Sequence, residues 1–140
     1  MTSVDLLEFG EWHSFERPSV LKVPTSTGVY AIRLLRGDVF GRLQGTSDIV
    51  YIGSTSSTGT LRQRIQSHLG SRSLMRLFAA KMNMEIAWKT CDDSRVARKL
   101  EHTLIYQYMF DHLEPPPWNH QLSRKDLGEI ITGAMKRRGS

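Results

Sequence analysis

Two runs in the first half of the chain are apolar at almost every position: GVYAIRLL over residues 28–35 and DIVYIG over 48–53. Their β-branched and aromatic content, without polar alternation, predicts two strands covered on both faces. The Gly-containing connection RGDVFGRLQGTS makes them a hairpin with a long loop. The period then changes. In LRQRIQSHL, Leu61, Ile65 and Leu69 recur four apart, which predicts an amphipathic helix opened by STSSTGT and ended by Gly70. A short helix is expected over 73–81. MEIAWKT alternates, with Met84, Ile86 and Trp88 on one side, and reads as a third strand with one buried face and Trp88 in the core. The longest helical pattern runs from an N-cap at Asp92 or Asp93 to about Leu113, with Ala97, Leu100, Leu104 and Tyr108 as its apolar stripe. PPPW stops it, because proline cannot continue a helix. Residues 1–26 are expected to pack as a leader on the domain edge, and a last helix over 124–136 is interrupted by Gly128 and Gly133. The order strand, strand, helix, helix, strand, helix is that of an α+β fold without repeats.

Length and composition narrow this to one globular domain spanning 1–140: 39% of residues are apolar and 24% charged, a profile that supports a single core. One cysteine, Cys91, excludes an internal disulfide, and the N-terminus has neither a basic start nor a long apolar run. No stretch approaches the roughly 20 apolar residues of a membrane span. A soluble cytoplasmic protein is the expectation. The net charge of +5 favours a polyanionic partner. No acidic residue occurs from Ile49 to Met84, whereas Arg62, Arg72, Arg76 and Lys81 fall in that span together with Arg64. These are candidate nucleic-acid contacts on one positive surface; the terminal cluster Lys136, Arg137 and Arg138 is more often a solubilising tail.

Several side chains could serve phosphodiester chemistry, which needs an aligned water, charge neutralisation at phosphorus and a stabilised leaving oxygen. Arg64 and His68, four apart, share a helix face beside the Leu61/Ile65/Leu69 stripe. An arginine there can fork two donors to a phosphate, and a histidine can accept or relay a proton. Taken alone, such a pair is most often an ordinary surface feature. Glu101 lies on the inward edge of the long helix, four residues from Ala97 and Ile105, where a carboxylate needs a partner. That partner is either a basic side chain, such as Arg98 one turn earlier, or a hard divalent cation. The other acids show no clustered spacing, so a metal site here would be a one-ion site. Tyr30 and Tyr51 are either packing residues or phenols whose ionisation a nearby cation such as Arg64 assists.

Taken in order, GVY at 28–30, YIG at 51–53, the Arg64/His68 helix, KLEHTLIYQY around Glu101, and WN at Trp118 and Asn119 resemble the landmarks of the GIY-YIG nucleases. The match covers about 92 residues of this chain, from Gly28 to Asn119. The resemblance implies a three-stranded antiparallel sheet flanked by helices and a metal-dependent endonuclease acting on DNA with one Mg²⁺ or Mn²⁺. It implies that Tyr30 helps deprotonate the attacking water, Tyr51 orients water or phosphate, and Arg64 binds the scissile phosphate. His68 would be a proton relay or base, Glu101 the sole protein ligand of the ion, and Asn119 a support for the site. Val29 stands where isoleucine is usual, a swap that leaves the strand in place. The longer Tyr51-to-Arg64 connection raises Arg62 as an alternative, but Arg64 shares the face of His68 and Arg62 does not.

Two further readings remain at this level: a nucleic-acid-binding module that keeps the fold without the reaction, and a protein-interaction domain for an acidic partner. The chain is expected to act on DNA as a monomer or a homodimer.

Overall fold

The structure, a computed structural model, describes residues 11–16, 20–34, 39–69 and 83–119. The helices expected over 73–81 and 124–136, and Arg72, Arg76, Lys81 and the basic tail, lie outside the described residues. Those described form an α+β arrangement. Its strands are β1 (His13–Ser14), β2 (Gly28–Leu34), β3 (Phe40–Gly41), β4 (Thr46–Ser47), β5 (Ile49–Ser54) and β6 (Met84–Thr90). Its helices are α1 (Leu61–His68) and α2 (Ser94–His112).

The sheet is antiparallel, ordered β1-β6-β2-β5, with β3 and β4 forming a separate two-stranded ribbon. The expected three strands are therefore β2, β5 and β6, and the expected count is corrected to four by β1. Two residues carry no readable alternation; β1 is fixed instead by tertiary contacts. His13 stacks on Trp88 at 4.8 Å, and Phe15 N–H donates to the Met84 carbonyl at 2.8 Å. Trp88 itself is half-buried, under His13 rather than deep in the core. The leader also contributes more than an edge: Phe15, Val20 and Val23 are buried in one of the two apolar clusters.

The absence of alternation in β2 follows from its central place. Tyr30, Ile32 and Leu34 face α1 with Leu61, Ile65 and Leu69, while Val29 and Ala31 face α2 with Leu104, Ile105 and Tyr108. Each fully buried side chain of this size contributes about 1.5–3 kcal/mol of hydrophobic stabilisation. Pairing between β2 and β5 slips once. Ile32 opposes Tyr51 and Arg33 opposes Ile49, so Val50 is an extra residue on β5 and the strand is locally re-aimed. Val50 and Tyr51 consequently join the same apolar cluster.

Local chemistry ends each helix where it ends. Thr60 caps α1 in a reciprocal box with Gln63, and the Leu61 N–H donates to Ser26 O. Asp93 caps α2 by accepting from Val96 N–H, and Leu113 closes it in the left-handed conformation at φ 65°. The proline run then returns the chain along the outer edge of β5. Trp118 N–H donates to Val50 O at 2.9 Å, while Asn119 accepts from Ile52 N–H at 3.0 Å and donates to Ile52 O at 2.7 Å. A side-chain amide thus satisfies the free edge of the strand that carries Tyr51.

Candidate active site

Register places two tyrosines on one face at the β2–β5 junction. Tyr30 lies opposite Gly53, and Tyr51 opposite Ile32. A Cβ at position 53 would stand 2.6 Å from the Tyr30 Cζ and hydroxyl oxygen, so the Tyr30 ring requires glycine beneath it. His68, at the last turn of α1, completes a cluster of three rings. Its centroid lies 5.6 Å from Tyr30 and 5.1 Å from Tyr51, edge-on to the latter. The Tyr30 hydroxyl and His68 Nε2 are 2.5 Å apart. With Nδ1 carrying the imidazole proton, the phenol donates to Nε2.

Tyr51 also fronts a cavity of about 620 Å³, whose lining includes Ser54, Arg64, Glu101 and Asn119. Tyr30 is fully buried and stands behind this wall. Arg64, one turn before His68, reaches the cavity from an exposed position on α1. Glu101 reaches it from α2. Residues 52 and 54 of β5 point to the α2 side, and the Ser54 hydroxyl donates to the Glu101 carboxylate.

The electrostatics follow from burial. Desolvation raises the Glu101 pKa, against the Ser54 hydrogen bond and the weaker pull of His102, Arg98 and Arg64. Burial and then Tyr51 hold Tyr30 well above the ordinary phenol value. Tyr51 is raised by burial, with the Tyr30 hydroxyl and Arg64 opposing. Burial first and Arg64 second lower His68 to about 4. At neutral pH the two phenols and the imidazole are therefore uncharged, and His68 keeps a lone pair available.

No group of three or more His, Cys, Asp or Glu side chains suited to a metal occurs among the described residues. A cation held here would thus take one protein carboxylate, Glu101, and fill its shell with water and phosphate oxygens. That donor set suits Mg²⁺ or Mn²⁺, which retain waters beside one or two carboxylates. The Ser54 hydroxyl orients the Glu101 carboxylate at the wall of a cavity that also presents Arg64 to a phosphate, a donor set compatible with such an ion.

Of the positions singled out from sequence, Tyr51, Arg64, Glu101 and Asn119 share this cavity, with Tyr30 and His68 paired behind it. Arg62 is placed differently: its guanidinium donates to Val23 O at 2.8 Å and Leu21 O at 3.2 Å, tying the leader to α1. Ser54 and Arg95 were missed, and Arg98 was named only as a pairing partner for Glu101. Strand parity in YIGS could have placed Ser54 opposite the tyrosine face, whereas nothing local to Arg95 reports which wall α2 presents to β5. Comparison with family models, curated proteins and solved structures finds no match, so the functional reading rests on these residues and their geometry.

Proposed function

We propose that the chain is a GIY-YIG-type endonuclease that hydrolyses DNA phosphodiester bonds with one divalent cation held by Glu101. The observation carrying this reading is the common cavity: a phenol, a guanidinium and a half-buried carboxylate line it together, with a second phenol and a neutral imidazole hydrogen-bonded behind. Arg64 can hold a phosphate by two charge-assisted hydrogen bonds. A cation on Glu101 would supply charge neutralisation at the phosphate and lower the pKa of a bound water.

The protein's own residues account for the proton. Water attacks phosphorus as its proton passes to the Tyr51 oxygen on the cavity wall, the Tyr51 proton to Tyr30, and the Tyr30 proton to His68 Nε2. The new bond is O–P; the P–O3′ bond breaks, and the 3′ oxygen leaves with the electron pair and takes a proton from solvent. This assigns the water-facing role to Tyr51 and the inner relay to Tyr30, because Tyr30 has no exposed surface. A phosphate beside Arg64 offsets the charge that helps depress His68, raising its basicity when substrate is bound. Asn119 acts by holding the Ile52 peptide, and hence the strand of Tyr51, in place.

The test is nicking of supercoiled plasmid with Mg²⁺ or Mn²⁺. Wild type is expected to nick and Tyr51→Phe to lose about 10²-fold or more, the size of one general acid–base contribution. DNA binding without cleavage by wild type would instead identify a binding module of the same fold. Among the described residues no helix is long and apolar enough to cross a membrane.

A further inference from the structure

Two strands of two residues each make a ribbon too short to hold itself together in water, so β3 and β4 must be anchored elsewhere. The anchor is the end of α2. Within the ribbon tip, Arg42 N–H donates to Gly45 O at 3.0 Å, and Gly45 takes the left-handed backbone, φ 74°, that this turn requires. Across to the helix, Gln44 N–H donates to His112 O at 3.1 Å, His112 Nδ1 donates to Gln44 O at 2.9 Å, and Leu43 N–H donates to the Glu114 carboxylate at 2.5 Å. Arg42 reaches furthest. Its Nη2 pairs with Glu114 Oε1 at 2.9 Å and also donates to the Pro115 carbonyl, with the guanidinium 5.9 Å from the centre of the Tyr108 ring.

The chain beyond this grip is stiff. Pro115, Pro116 and Pro117 each have φ fixed near about −65° and leave the segment little slack. A tight turn follows at once, since Asn119 N–H donates to Pro116 O at 3.0 Å and Trp118 N–H to Val50 O at 2.9 Å. Asn119 therefore stands four residues past the carbonyl that Arg42 holds, with its amide oxygen and nitrogen both engaged on Ile52. Ile52 is the neighbour of Tyr51. A shift at Pro115 would carry Asn119 with it, and so the strand that presents the Tyr51 hydroxyl to the cavity. The Arg42 side chain is 10% exposed and that of Glu114 28%, so solvent screens the pair little.

We infer that Arg42 is a positioning residue for the proposed cleavage: through Glu114 and the Pro115 carbonyl it braces the proline run that delivers Asn119 to the edge of β5, and so sets Tyr51 on the cavity wall. The inference rests on the nuclease reading and deepens it. Arg42 acts from a distance, because the ribbon grips α2 at His112, eleven residues after Glu101 and about 16 Å along the helix axis at 1.5 Å per residue. Its route to the site is mechanical. The stiff prolines carry the position of one end of the segment to the other, which a flexible connection would not do.

The experiment follows the amide exchange of Ile52 by NMR, together with single-turnover cleavage and binding of one duplex, in wild type, Arg42→Gln and Arg42→Lys. Ile52 N–H reports the brace directly, because it donates to Asn119 Oδ1. In Arg42→Gln its exchange should speed about 10-fold while amides in the β2–β6 pairing keep their rates, the mark of a local opening. Cleavage should slow about 10-fold or more with the duplex Kd unchanged, as expected when a reacting group is misplaced. Arg42→Lys should recover both, since one nitrogen makes both contacts in wild type. Unchanged Ile52 exchange in Arg42→Gln overturns the brace, and so does a rise shared by the β2–β6 amides, which is plain destabilisation. Faster Ile52 exchange with an unchanged cleavage rate overturns the positioning role alone. A wild type that leaves the duplex uncut, while Ile52 exchange still follows Arg42, overturns the nuclease reading and keeps the brace as architecture.

Discussion

Replacing His68 by glutamine removes a titration that the fold perturbs, and the size of the effect follows from the site. The imidazole is neutral in the folded protein down to about pH 4, because burial and Arg64 oppose its protonation. In the unfolded chain it takes up a proton near the ordinary value of about 6.5. The folded pKa is thus the lower one: the contribution to stability is intact above about pH 6.5 and is lost as pH falls toward 4. The unfolded chain binds a proton that the folded chain refuses. With these two values, acidification from about pH 8 to about pH 5 removes roughly 2 kcal/mol from wild type through this group alone. Glu101, raised by burial, titrates in the opposite sense, and it is present in both proteins and cancels in the difference. Urea unfolding of wild type and His68→Gln at both pH values is the assay. Whatever the offset at pH 8, the variant should gain on wild type by about 2 kcal/mol at pH 5. Parallel pH dependences would refute the claim that His68 is held neutral against Tyr30.

Three other outcomes are expected. Gly53→Ala puts a methyl 2.6 Å from the Tyr30 ring and should destabilise by about 1–3 kcal/mol, read as a shift in the urea midpoint. Asn119→Ala leaves both the N–H and C=O of Ile52 unpaired at a buried edge, a loss of about 2–4 kcal/mol in the same assay, whereas a value near zero would show the edge already satisfied. Ser54→Ala removes the hydroxyl that orients Glu101 and should raise the Mn²⁺ concentration for half-maximal nicking roughly 10-fold; an unchanged titration would detach Ser54 from the ion.

Much of the site was legible because its residues sit on periodic elements. Helical phase alone put Arg64 beside His68 and set Glu101 at the inward edge of the long helix, and the structure brings Arg64 and Glu101 to one cavity. The α+β order was legible in the same way, as two unalternating strands, one alternating strand and two amphipathic helices. Information held in tertiary register was not. The bulge at Val50 and the pairing of Tyr30 with Gly53 depend on how two strands align, which neither strand encodes by itself. β1 depends on His13 meeting Trp88 some 75 residues later in the chain. The charge of Arg62 is visible in sequence, while the carbonyls of Val23 and Leu21 that engage it are not. Arg95 escaped for the converse reason: only the packing of α2 on β5 reveals that it shares a wall with Glu101.

Single-turnover cleavage of one duplex by wild type, Arg64→Ala, Glu101→Ala and the double variant tests the central claim most directly, that a guanidinium and a carboxylate act on the same phosphate in one cavity. Groups that act as a unit are strongly non-additive. Each single variant is expected to lose about 10²-fold or more, and the double variant to be little slower than the worse single. Equal rates in all four proteins, or losses that multiply, would contradict the account.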